Sequence, residues 1–123
     1  MEKITLSEKE KKIMEIPTTI YITELNQNNY TEFINKELVL IDIYAIWCSP
    51  CKQISPIIDQ LSIDYVGKVS VGKLDADKSS SIISDLGIKS IPTILLYKNG
   101  EIVERVVGLA TKQKLSEIID THL

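Results

Sequence analysis

The run Leu38-Val39-Leu40-Ile41-Asp42-Ile43-Tyr44-Ala45 constrains the fold more than any other stretch of the chain. A strand turns successive side chains to opposite faces, so Leu38, Leu40 and Tyr44 share one face and Val39, Ile41 and Ile43 the other. Apolar groups on both faces mark a central strand covered by helices on both sides, the pattern of an α/β sheet. A chain of 123 residues suits one such domain, because two would each be undersized.

The remaining segments supply the layers. Thr19 to Thr23 is β-branched and aromatic and reads as a first strand. Asn28 or Asn29 can cap a helix over Tyr30 to Asn35, with Phe33 and Ile34 inward. Ile54, Ile57, Ile58, Leu61 and Tyr65 recur at helical spacing within Lys52 to Val66, where Pro56 is expected to kink the helix and Gly67 to end it. Val69 to Leu74 reads as a third strand, followed by a short helix from Asp77 or Ser79 through Leu86, capped by Gly87. Ile94 to Tyr97 and Ile102 to Val107 flank Asn99-Gly100, the residue pair that suits a type I′ hairpin turn. Thr111 caps a last helix that turns Leu115, Ile118 and Ile119 to the sheet. The order βαβαβα followed by ββα predicts a mixed sheet between two helical layers.

Residues 1–17 stand apart, with four Lys, four Glu and no aromatic residue before Pro17. Ser7-Glu8-Lys9-Glu10 fits a capping box, so this N-terminal extension reads as a solvated tail or a short helix from Glu8 to Glu15, ahead of a domain at 18–123. A net charge of -3 gives no basic footprint for nucleic acid. The only histidine, His122, lies at the C-terminal end, which argues against histidine catalysis and His-containing metal sites. No apolar leader is visible in the first 18 residues, and Leu38 to Trp47 is too short to span a bilayer. The expectation is a soluble, monomeric, cytoplasmic protein without nucleic-acid or membrane partners, with an organelle matrix or stroma as the alternative compartment.

Both cysteines lie in Trp47-Cys48-Ser49-Pro50-Cys51-Lys52, at the turn from the central strand into a helix. Two are too few for a disulfide-stapled scaffold, and without a second pair they make only half of a zinc site. A Cys-x-x-Cys pair at this turn suits reversible disulfide exchange instead. Free N–H groups and the dipole at a helix N-terminus favour a thiolate, so Cys48 at the cap, its sulfur toward solvent, is the expected nucleophile. Cys51, one turn in and better buried, is the expected resolving thiol. Pro50 fits the first turn, where a missing N–H costs little, and Trp47 offers a flat apolar surface to a protein substrate. Asp42, on the strand that delivers the motif, has two readings: a buried proton acceptor acting on Cys51 through a water, or a structural carboxylate paired with a cation. Lys73, in a neighbouring strand, serves either. Cis bonds occur at only about 5–6% of X–Pro linkages, so spacing alone favours a trans Pro92.

From about Thr19 to Leu123 the chain resembles the thioredoxin family, nearly end to end. The matching pieces are Val39-Leu40-Ile41-Asp42, the Trp47 to Lys52 motif, Pro56, Lys73 with Asp75, Gly87 to Thr93, Lys98-Asn99-Gly100 and Val107-Gly108. Each is modest alone; together, in this order and spacing, they are highly specific. The resemblance implies a thioredoxin fold, a five-stranded mixed sheet flanked by four helices. It implies a protein-disulfide reductase that binds no cofactor and is recycled by a thioredoxin reductase using NADPH. It makes Pro92 cis, with the Ile91 backbone beside Cys48. It makes Asp42 the buried acid/base tuned by Lys73, and it puts Trp47, Ser49, Pro50, Ile91, Pro92, Val107 and Gly108 against the substrate. Ser49 stands where the family usually has Gly, Tyr44 where many members have Trp, and Ser90 where Gly is common. Two other functions suit such a chain: a specialised oxidoreductase of an exported or organellar pathway, and a non-catalytic subunit of a complex.

Overall fold

A computed structural model describes residues 21–123. The extension, its capping box, Thr19 and Ile20 lie outside the described residues. The elements in chain order are β1 (Ile22–Leu25), α1 (Tyr30–Ile34), β2 (Leu38–Tyr44), α2 (Ser49–Asp64), β3 (Ser70–Asp75), α3 (Ser80–Leu86), β4 (Thr93–Lys98), β5 (Glu101–Val107) and α4 (Lys112–His122). The strand order is β1-β3-β2-β4-β5. β3 pairs parallel with both β1 and β2, whereas β4 pairs antiparallel with β2 and β5. This is the mixed five-stranded sheet with four helices expected of the chain.

β2 lies at the centre, and its alternation divides the core. Leu38 and Leu40 pack with Ile54, Ile58 and Leu61 of α2 and Leu115 and Ile119 of α4. Val39, Ile41 and Ile43 pack on the other face with Tyr30 and Phe33 of α1, and Ile82, Ile83 and Leu86 of α3 close that layer. The hairpin turn forms as expected, with positive φ at Asn99 (53°) and Gly100 (87°). Gly87 ends α3 in the left-handed conformation, and Ser79 stands at the start of that helix.

One boundary differs from expectation. β1 is shifted toward the C-terminus, because its parallel register with β3 runs from Ile22↔Val71 to Leu25↔Leu74 and buries Leu25. α2 begins at Ser49, ahead of the apolar period that starts at Lys52, with Cys48 at its cap and Pro50 in its first turn as the motif implies. Pro56 lies inside α2 without ending it.

Candidate active site

The C-terminal end of β2 delivers Cys48 to the N-cap of α2, with an extended backbone (φ -89°, ψ 111°). Ser49 and Pro50 form the exposed start of the helix, where the absent N–H of Pro50 leaves no donor unsatisfied. Cys48 and Cys51 are joined by a disulfide across a Cα–Cα distance of 5.3 Å. The Cys51 backbone N–H donates to the Cys48 sulfur at 3.2 Å. An orphan donor of the first helical turn therefore points at Cys48, the arrangement that favours negative charge on that sulfur once the pair is reduced. The expected difference in exposure does not hold: Cys48 is 4% exposed and Cys51 3%. The two cysteines form a buried cluster with Ala45, against which Tyr44 and Ile91 pack, so Cys48 is covered along with its partner.

Two further segments meet the pair. The Ile91–Pro92 bond is cis, as the family resemblance implies and contrary to the trans bond that spacing alone favours. Pro92, expected on the open surface, is buried; it directly precedes β4, and its carbonyl accepts the Gly108 N–H at 2.8 Å. That bond ties the end of β5 to the proline loop, and it leaves Val107 (59% exposed) on the same edge. Trp47 is 69% exposed, and its indole N–H donates to Asp77 at 2.8 Å. Asp77 is in turn set by an N–H bond to the buried Asp75 carboxylate at 2.9 Å. Neither aspartate was marked by sequence reasoning for this role, although Asp75 ends β3 and Asp77 lies in the tight turn that follows.

Beneath the disulfide lies a pocket of about 290 Å³ lined by Asp42, Tyr44, Ala45, Ile46, Cys51, Lys52, Ser55 and Lys73. Asp42 is 1% exposed, and neither carboxylate oxygen has a hydrogen-bond partner in the protein. Burial pushes its carboxyl up to about 6; Lys73 pulls it partly back, while Asp59 and Glu24 add to the rise. Lys73 is the register partner of both Asp42 on β2 and Glu24 on β1. It forms an ion pair with neither; its ammonium donates to the Ser55 hydroxyl at 2.8 Å and lies 5.7 Å from the Tyr44 ring centre. The structural reading of Asp42 as one half of an ion pair is thus not what the side chains do. Tyr44 donates its hydroxyl to Glu24 at 2.7 Å, and burial together with that carboxylate pushes the phenol up.

Residues 21–121 match the family model described as Thioredoxin. The chain belongs to the thioredoxin family. The thioredoxin of Staphylococcus haemolyticus (strain JCSC1435) is 40% identical over 102 residues, covering 83% of this chain and 98% of that one. A Staphylococcus aureus thioredoxin is 36% identical over the same length. Among solved structures, the thioredoxin of Malassezia sympodialis superposes with a TM-score of 0.77 at 31% identity, over 85% of this chain and 93% of that one. The Plasmodium falciparum thioredoxin gives 0.75 at 32%, over 82% and 99%. As a thioredoxin-family protein with a bonded Cys-x-x-Cys pair at a helix N-terminus, the chain is a protein-disulfide oxidoreductase that reduces protein disulfides by dithiol–disulfide exchange. Among the described residues no helix is long and apolar enough to cross a membrane.

Proposed function

We propose the following division of labour within this exchange, with residues 18–123 as the catalytic domain. The observation that carries it is the Cys51 N–H directed at the Cys48 sulfur. In the reduced protein Cys48 is the thiolate nucleophile. It attacks a substrate disulfide; the substrate S–S bond breaks, a mixed disulfide forms on Cys48, and the first substrate sulfur leaves and takes up a proton. Cys51 gives its proton toward Asp42 and attacks the Cys48 sulfur. The Cys48–Cys51 bond forms, the mixed disulfide breaks, and the second substrate sulfur leaves and is protonated. The substrate gains two electrons from the cysteine pair; of its two protons one is lost by Cys51 and the other comes from solvent, which received the Cys48 proton when the thiolate formed.

Lys73 sets the electrostatics of Asp42. Trp47, Ser49, Pro50, Ile91, Val107 and Gly108 form the surface along which an extended substrate segment lies, with Pro92 fixing the Ile91 backbone. The oxidised pair is returned to the dithiol by a thioredoxin reductase, which carries the NADPH chemistry; the chain itself binds no cofactor. The protein acts as a monomer in the cytoplasm.

Insulin-disulfide reduction tests the assignment. Cys48→Ser abolishes turnover, and retained activity would sink the nucleophile. Cys51→Ser accumulates mixed disulfides on Cys48 that dithiothreitol releases; failure to trap any would remove Cys51 from the resolving role.

A further inference from the structure

Lys73 stands between two carboxylates, Asp42 on one neighbouring strand and Glu24 on the other, yet its ammonium bonds to a neutral hydroxyl. Ser55 is four residues beyond Cys51 on α2, so both side chains face the same pocket. The hydroxyl therefore ties the cation to the helix that carries the resolving cysteine. Glu24 is occupied by the Tyr44 hydroxyl, and the Tyr44 ring flanks the lysine. Asp42 is left in contact with the pocket and unpartnered. An ammonium free to swing onto Asp42 would close that carboxylate in a buried ion pair and make it a poor proton acceptor.

We infer that Ser55 is a positioning residue of the disulfide-exchange reaction: its hydroxyl holds the Lys73 ammonium at the pocket wall, so that Asp42 is not closed off by an ion pair. The inference rests on the acid–base reading of Asp42 given above. The charged and titratable groups around Asp42 are Lys73 on β3, Asp59, Lys52 and Cys51 on α2, Glu24 on β1 and Tyr44 on β2. Only Lys73, held by Ser55, is a cation on the sheet side of this set.

The test follows the Asp42 carboxyl carbon by NMR titration of the whole chain, with Asp42→Asn identifying the resonance. Insulin reduction is measured across pH in parallel. Alanine is a better helix former than serine, so Ser55→Ala keeps α2 intact. In Ser55→Ala the Asp42 midpoint falls by about one pH unit as the ammonium closes on it. The acid limb of the activity profile moves to lower pH with it. Ser55→Thr, which keeps the hydroxyl, restores both. Lys73→Met raises the midpoint, and adding Ser55→Ala to that variant changes nothing further. An unmoved midpoint in Ser55→Ala, or an equal fall without Lys73, overturns the inference and leaves the role of Asp42 standing. An activity profile unchanged in Asp42→Asn overturns the acid–base role itself, and the place of Ser55 in the reaction with it.

Discussion

Asp42 is the residue at which stability and activity oppose each other. Its carboxyl titrates near 6 in the fold, against an ordinary value of 3.8. Between those values the folded chain holds a proton that the unfolded chain has released, so stability falls as pH rises through this window. Above it the buried carboxylate costs ~3 kcal/mol, from the shift of about two pH units at about 1.4 kcal/mol each. Asp42→Asn removes the charge at constant shape. Urea denaturation should therefore find it more stable than the parent by up to ~3 kcal/mol at pH 8, with the difference closing below pH 4. An equal gain at both pH values would mean that charge burial is not the cause. Asp42 was readable in the sequence because a lone carboxylate interrupts an apolar strand. Ser55 was not: a serine within a helix carries no signal until the register of β2 and β3 brings Lys73 to it.

Among the elements, β2 was legible from its two apolar faces and the β4–β5 hairpin from Asn99-Gly100, since each depends on local pattern alone. The cis bond at Pro92 was hidden from spacing, because the proline loop is set by contacts with distant segments such as the Gly108 N–H bond to the Pro92 carbonyl. The seating of α1 on the sheet is another such contact. Gly72 on β3 lies where an added Cβ would meet Leu25 Cδ1 at 2.7 Å and Phe33 Cε2 at 2.9 Å. Those side chains are buried, at 3% and 8% exposed, and have little room to give way. Gly72→Ala should cost about 1–3 kcal/mol, read as a lower urea midpoint with an unchanged slope. Insulin reduction should survive below that midpoint, because Gly72 faces away from the pocket. A neutral substitution would show that α1 moves freely over β3.

At the scale of the molecule, β2 contributes to both core clusters, so the two helical layers are packed on opposite faces of one shared strand. The chemistry gathers at one end of this body: the ends of β2, β3 and β5 and the loop before β4 supply the cysteines, Asp77, Val107 and Ile91. Among the described residues the sheet has β1 and β5 as its two margins. β1 is four residues long. β5 is longer and carries Ile102, Val103 and Val107 exposed, a sequence that invites another strand to add to it. Two features discourage that. The register shifts at Leu96/Tyr97, where Tyr97 pairs with Ile102 and Leu96 with Glu104, so Val103 is an extra residue that bends the margin. Glu104 and Arg105 then place charges in the middle of the apolar run. Replacing both (Glu104→Val with Arg105→Val) should convert a single size-exclusion peak into concentration-dependent oligomers that bind thioflavin T, with insulin reduction intact in whatever monomer remains. A variant that stays monomeric at high concentration would show that the bulge alone suffices. The bulge at Val103 and the adjacent charges of Glu104 and Arg105, none of which takes part in electron transfer, thus guard the β5 margin against strand addition.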